Sequence, residues 1–138
     1  MALESLLNPK SVAVIGASKD PKKVGYGVLK NLLTGCVLRQ KFCKPFLGRI
    51  YAVNPKAQKI LGMQTFQTIN DVKGDVDIAV VCVPAKIVPG VMRQCAEKKV
   101  RNAIIISAGF SETGKAGEIL QQKVASIAKK GGIRVLGP

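Results

Sequence analysis

Short apolar runs alternate along the chain with segments whose apolar residues recur every three or four positions. The short runs are rich in Val, Ile and Ala, which is typical of buried strands, whereas the longer repeats are typical of helices with one apolar face. The runs that predict strands are residues 11–15, 49–53, 77–83, 103–106 and 133–136. The repeats that predict helices are residues 25–34, 88–99 and 117–130, and a minor strand with a short helix is expected within residues 63–72.

Strands that are apolar on both faces are typical of a parallel sheet covered by helices on its two sides. Because strands and helices alternate, the pattern predicts an α/β protein with a Rossmann-like, doubly wound parallel sheet in three layers. The crossover connections should be right-handed. A length of 138 residues suits one domain that spans residues 1–138. The basic segment 35–47 is long for a connection and is interpreted as an insertion.

Composition changes this picture in two ways. The chain has 22 Lys and Arg against 8 Asp and Glu, a formal net charge of +14, so its partner should be an anion. It has no histidine, which excludes a Ser-His or Cys-His catalytic pair, a histidine-ligated metal and a phosphohistidine within this chain.

The cysteines indicate a reducing compartment. Cys36, Cys43, Cys82 and Cys95 form no C-x-x-C pair, so the spacing of a zinc ribbon or a redox motif is missing and no metal site is expected. A disulfide between Cys36 and Cys43 is possible but nothing indicates it. The first residues lack the pattern of a signal peptide, and no apolar run is long enough to span a membrane. We therefore expect a cytoplasmic protein with no membrane partner.

Ligands of open α/β sheets bind beyond the carboxyl ends of the strands. Residues 16–25 follow the first strand and lead into a helix, where backbone N–H groups and the helix dipole can meet a phosphate. This loop departs from the dinucleotide fingerprint G-x-G-x-x-G, because Ser18 replaces the second glycine and extra residues precede Gly25. An ordinary glycine turn remains an alternative for this loop taken alone.

The residues at the end of the second predicted strand indicate which nucleotide the fold could bind. NAD-binding folds usually place Asp or Glu there for the ribose 2′-hydroxyl, whereas this chain has Asn54, Pro55 and Lys56. A lysine suits a phosphate on the ribose, which favours NADP, with its 2′-phosphate, or coenzyme A, with its 3′-phosphate, over NAD. A solvated turn with an unengaged lysine is the alternative.

Several segments together resemble the coenzyme A-binding domain of the NDP-forming acyl-CoA synthetases. This family includes the ADP-forming acetate–CoA ligases and the α chain of succinyl-CoA synthetase. The resemblance covers nearly the whole chain, and only the basic segment 35–47 is longer than expected. The segments that carry it are SVAVIGAS, VGYGVLKNLL, GRIYAVNPK, DIAVVCVPA, NAIIISAGFSETG and VLGP.

The resemblance implies that coenzyme A lies against the strand-end loops. Residues 16–19 match the turn that holds phosphates, and Lys56 matches the position best suited to the 3′-phosphate. Residues 83–85 match the stretch beside the adenine or the pantetheine arm, and residues 107–110 match the loop beside the pantetheine thiol. The implied binding residues are Gly16, Ala17, Ser18, Lys19, Val24, Gly25, Asn54, Pro55, Lys56, Val83, Pro84, Ala85, Ser107, Ala108, Gly109 and Phe110.

Members of this family form acyl-CoA from an acid, coenzyme A and a nucleoside triphosphate. They transfer the phosphoryl group through a histidine in a second α domain and bind the nucleotide in an ATP-grasp β portion. This chain has neither, so the resemblance implies a domain that binds coenzyme A and is not catalytic alone. Because the family continues beyond VLGP, the chain is expected to be the N-terminal fragment of a longer synthetase, with those other domains or subunits as partners.

Other functions stay open at this point. A free-standing small CoA-binding protein would share the fold, and an NADP-binding oxidoreductase domain could use Ser18 and Lys56 on the 2′-phosphate. Specific nucleic-acid binding is disfavoured, because the basic residues are scattered and only four Phe and two Tyr are present for stacking.

Overall fold

A seven-stranded sheet lies at the centre of the computed structural model, which describes residues 3–35 and 44–137. Three single turns of 3-10 helix cover Ile69–Asp71, Ala85–Ile87 and Ser111–Thr113. The strands are β1 (Ser11–Ile15), β2 (Arg49–Val53), β3 (Lys59–Ile60), β4 (Met63–Phe66), β5 (Ile78–Val81), β6 (Asn102–Ile105) and β7 (Arg134–Leu136). The helices are α1 (Glu4–Leu7), α2 (Val24–Thr34), α3 (Val88–Glu97) and α4 (Lys115–Gly131).

The strand order confirms the predicted doubly wound sheet. The order is β3-β4-β2-β1-β5-β6-β7, and all neighbours are parallel except the β3–β4 pair. The sheet begins with the central β1, grows on one side through β2 to β4, and then gains β5, β6 and β7 on the other side. This reversal leaves a crevice between the carboxyl ends of β1 and β5, where such folds bind their ligands.

Both faces of β1 are covered, which explains why its five residues are all buried. Side chains alternate across a strand, so Ala13 and Ile15 join the cluster under α3 and α4. Val14 packs instead with Leu29 of α2, and Val12 lies on that same side of the sheet. The two helical layers and the sheet give the predicted three-layer arrangement.

The predicted elements are all present, with boundaries that shift by a few residues. Strand β5 is shorter than predicted and ends at Val81, and α3 ends at Glu97. The pattern missed α1 and β3, since a four-residue helix and a two-residue strand show no measurable period. Residues 36–43, most of the basic segment, lie outside the described residues, and so do Cys36 and Cys43. Within the described residues, no helix combines the length and the apolar character needed to cross a bilayer.

Two glycines let α2 pack directly on the turn that follows β1. A Cβ at Gly25 would lie 1.9 Å from the carbonyl oxygen of Gly16. Gly16 itself has φ +93°, and its Cβ would lie 2.9 Å from the backbone carbonyl of Cys82. Any side chain at either position would push the helix or β5 away from the turn. These contacts therefore bring the start of α2 to the carboxyl edge of the sheet.

Replacing Gly25 with alanine should destabilise the protein, because the new Cβ would overlap a backbone oxygen that cannot move freely. We expect the free energy of unfolding to fall by at least about 2 kcal/mol, measured by urea denaturation. Gly27→Ala in the same helix is the matched control. Nothing lies within 4 Å of its Cβ, so this change should be neutral or stabilising by up to about 1 kcal/mol. Equal effects of the two changes would show that the close approach does not matter.

Candidate functional site

A cavity of about 690 Å³ opens at the carboxyl ends of β1, β2, β5 and β6. It lies where the strand order reverses, the position that the fold favours for a ligand. Small residues dominate the wall, which permits close approach to the backbone. The lining residues are Gly16, Ala17, Ser18, Lys23, Val24, Gly25, Asn54, Pro55, Lys56, Cys82, Val83, Pro84, Ile106, Ser107 and Ala108.

Most of the predicted site residues meet in this cavity, and four do not line it. Lys19 is exposed on the turn after β1, and Ala85 packs against the core from its 3-10 turn. Phe110 is fully buried in the core, and its side chain does not line the cavity. Gly109 instead donates a hydrogen bond from its N–H to Glu112 Oε1 at 2.5 Å, and this bond lowers the pKa of that carboxyl.

The sequence pattern missed three residues of the cavity wall. Cys82 and Ile106 fall inside the predicted strands, but β5 ends at Val81 and β6 at Ile105, so both lie just beyond the strand ends. Lys23 directly precedes α2 as its N-cap residue. The sequence did contain a signal for Lys23, because this residue lies in a lysine-containing loop directly before a predicted helix.

The turn after β1 is tied to the end of β2. The N–H groups of Gly16 and Ala17 both donate to the carbonyl of Val53, at 3.0 and 3.2 Å. Further along, the Asp20 N–H donates to Ser18 Oγ at 3.0 Å. These hydrogen bonds hold the backbone of the loop that precedes α2, and part of that backbone lines the cavity.

Asn54 lines the cavity and also has a structural role in the site. Its Nδ2 donates to the carbonyl of Ala17 at 2.7 Å, and its Oδ1 accepts from the N–H groups of Lys56 and Ala57 at 2.8 and 3.0 Å. The half-buried amide thus joins the turn after β1 to the turn after β2. It holds the backbone of Lys56 in place, which sets where that lysine can reach.

The other side of the cavity is joined in a similar way. Ser107 Oγ donates to the carbonyl of Val83, and the Ile106 N–H donates to Val81 at 3.0 Å. The loops after β5 and β6 therefore form one continuous wall. Val83 and Pro84 give this wall an apolar surface.

The electrostatics of the cavity favour an anion. Lys23 and Lys56 line it, and none of its described lining residues is a carboxylate. Helix α2 begins there, and no side chain among the described residues caps that end. The first N–H groups of a helix have no partner within it and carry the positive end of the dipole, so they bind phosphate well. The arrangement suits a phosphorylated ligand with a slender, partly apolar arm.

Burial raises the pKa of the Cys82 thiol to about 11, so this group faces the cavity as a neutral thiol. Cys82 is also free of any disulfide. Over residues 3–35 and 44–137, no group of three or more acidic or thiol side chains is arranged to hold a metal ion.

Comparisons with known proteins show the family of the chain. The family described as the CoA binding domain matches residues 10–138. The ADP-forming acetate–CoA ligase II of Archaeoglobus fulgidus is 46% identical over 99% of this chain, which covers 19% of that protein. The α subunit of the ADP-forming acetate–CoA ligase I of Pyrococcus furiosus is 42% identical over 100% of the chain, which covers 29% of that subunit. This chain thus spans less than a third of the length of either relative.

A solved structure shows the same fold at a similar level of identity. It is the dinucleotide forming acetyl-coenzyme A synthetase 1 of Candidatus Korarchaeum cryptofilum, in complex with phosphate and ADP. The TM-score is 0.85 and the identity is 40%, over 100% of this chain and 28% of that one.

Removing the amide of Asn54 should loosen the site. We expect Asn54→Ala to lower the free energy of unfolding by about 1–3 kcal/mol, because two backbone N–H groups and one carbonyl lose their partner. Asn70→Ala is the control, since among the described residues the exposed side chain of Asn70 bonds only to Glu97. That change should stay within about 0.5 kcal/mol. Denaturant titration of both variants measures the difference, and an Asn54→Ala protein as stable as the control would contradict the assigned role.

The raised pKa of Cys82 predicts slow alkylation. The thiolate is the reacting form, so at pH 7 iodoacetamide should modify Cys82 on the order of 100-fold more slowly than a free thiol such as glutathione. The rate should rise about tenfold per pH unit towards pH 10. Mass spectrometry of the digested protein reports each cysteine separately, and the more buried Cys95, with a pKa of about 12, should react more slowly still. Rapid modification at pH 7 that does not increase with pH would show that the thiol is already ionised.

Proposed function

The chain belongs to the family of CoA-binding domains, and we propose that it binds coenzyme A in the cavity at the carboxyl edge of its sheet. The observation that carries this proposal is the combination of Lys23, Lys56 and the uncapped start of α2 around one cavity without a lining carboxylate among the described residues. Coenzyme A carries phosphates in two places, on the diphosphate and on the ribose, which matches two separate cationic positions.

The diphosphate is assigned to the turn after β1. Gly16, Ala17 and Ser18 line the cavity and would let the ligand approach the backbone closely. Helix α2 begins at the same cavity, with Val24 and Gly25 in its wall. Lys23, at the start of that helix, adds a positive charge. The exposed Lys19 lies on the same loop outside the cavity wall, and it is proposed as a further cation for the phosphates.

The adenosine and pantetheine ends are assigned to the remaining loops. Lys56 follows β2 and is the residue proposed for the 3′-phosphate, with Pro55 beside it. The pantetheine arm is thin and partly apolar, which suits the wall that Val83, Pro84 and Ala108 form. Its thiol would then lie near the loop after β6, where Ser107 is fixed to the loop after β5.

We further propose that the domain works as the N-terminal part of an NDP-forming acyl-CoA synthetase in the cytoplasm. The identity to two ADP-forming acetate–CoA ligases supports this, as does the share of those proteins that the chain covers. The domain would hold coenzyme A while an acid is activated with a nucleoside triphosphate. Because the sequence has no histidine, a phosphohistidine would have to come from a second α domain, and the nucleotide site from an ATP-grasp β portion.

NADP is the competing ligand, since the strand order and Lys56 also suit a ribose 2′-phosphate. Calorimetric titration of the 138-residue chain with coenzyme A and with NADP separates the two proposals. Binding of coenzyme A but not of NADP supports the assignment made here. Binding of NADP alone would refute it.

Replacing Lys56 with alanine should weaken the binding of coenzyme A more than the binding of dephospho-coenzyme A. The two ligands differ only in the 3′-phosphate, so the difference isolates the contact at that group. We expect a differential loss of about 1–3 kcal/mol, which calorimetry with both ligands measures.

Lys73→Ala serves as the charge-matched control. Lys73 lies exposed before β5, at the amino edge of the sheet and away from the cavity, and its removal lowers the net charge equally. This variant should bind both ligands as the unmodified chain does. If Lys56→Ala weakened the binding of both ligands equally, Lys56 would not contact the 3′-phosphate.

A further inference from the structure

A second cavity, of about 550 Å³, adjoins the first on the outer side of the turn after β2. Pro55 and Lys56 line both cavities and therefore form the wall between them. The second cavity belongs to the β3–β4 hairpin, a feature that the sequence pattern did not resolve. Its lining residues are Pro55, Lys56, Ala57, Gln58, Lys59, Gln64, Thr65 and Gln67.

The hairpin is anchored on one face and open on the other. Ile60 pairs with Met63, and both pack into the core beside α2, where Ile60 is 1% exposed. Lys59 pairs with Gln64 in the next register position, so the alternation of the strands turns these two side chains away from the core. Both are exposed and both line the cavity.

Hydrogen bonds fix the hairpin to the turn that carries Lys56. The Thr65 N–H donates to the carbonyl of Gln58 at 3.0 Å, and Thr65 Oγ1 donates to the carbonyl of Ala57. Asn54 Oδ1 holds the N–H groups of Lys56 and Ala57 from the other side. These hydrogen bonds therefore hold the backbone of Lys56 and the backbone of Lys59 in fixed positions relative to each other.

The chemistry of this cavity suits a phosphorylated sugar. Lys56 and Lys59 are the charged groups among its described lining residues, and both are cations. The amides of Gln58, Gln64 and Gln67 supply donors and acceptors for hydroxyl groups. Because Lys56 lines both cavities, a phosphate bound at the shared wall would lie beside the cavity that Lys59 lines.

We propose that the hairpin cavity binds the phosphorylated ribose of coenzyme A, with Lys59 as a second cation on the 3′-phosphate. This inference rests on the proposed function, and it assigns the selection of 3′-phosphorylated ligands to the hairpin together with Lys56. The hairpin then acts as a specificity element that is separate from the diphosphate turn after β1.

The test compares the ratio of the dissociation constants for dephospho-coenzyme A and coenzyme A in variants of the 138-residue chain. Lys59→Gln should lower this ratio about five-fold, the upper range for an exposed charge pair. Lys59→Arg keeps the charge and should restore most of the ratio. Lys73→Gln, the charge-matched control at the amino edge of the sheet, should leave the ratio unchanged.

Two results would overturn the proposal while leaving coenzyme A binding intact. An unchanged ratio in Lys59→Gln, beside a lowered ratio in Lys56→Ala, would remove the hairpin from recognition of the phosphate. An equal loss for both ligands in Lys59→Gln would show a general effect of charge. Failure of the unmodified chain to bind coenzyme A would overturn the proposed function and this inference together.

Discussion

Backbone contact between α2 and the turn after β1 is the constraint on which the rest of the site depends. Gly25 lies so close to the carbonyl of Gly16 that a single added carbon would overlap it. This contact places the positive end of α2 at the carboxyl edge of the sheet, beside the point where the strand order reverses. The second half of the fold uses the same device, because Gly117 in α4 approaches the carbonyl of Phe110 equally closely.

The polar groups of the site divide into those that build it and those that remain available to a ligand. Asn54 and Ser107 use their side chains on neighbouring carbonyls and N–H groups, and so hold pairs of loops together. Lys23 and Lys56 line the cavity from positions that this framework sets. The side chains of these two lysines make none of the hydrogen bonds described for this framework.

The basic residues of the chain are not confined to the two cavities. Among the described residues, the basic residues that line the two cavities are Lys23, Lys56 and Lys59, a small part of the 22 in the chain. Lys129 and Lys130 lie in the last turn of α4, where they oppose the negative end of the helix dipole.

The sequence by itself determined the fold class, the main helices and strands, and most of the loops that meet at the cavity. These features follow from the local periodicity of apolar residues and from small residues at strand ends, and a short stretch of sequence is enough to show each of them. Tertiary structure alone decided where each strand stops, since hydrogen bonds to neighbouring strands set that point. Cys82 and Ile106 therefore line the cavity although the pattern placed them inside strands. Packing between the layers likewise buries Phe110 in the core. The β3–β4 hairpin, in which Lys59 pairs with Gln64, is too short for its residues to show a period in the sequence.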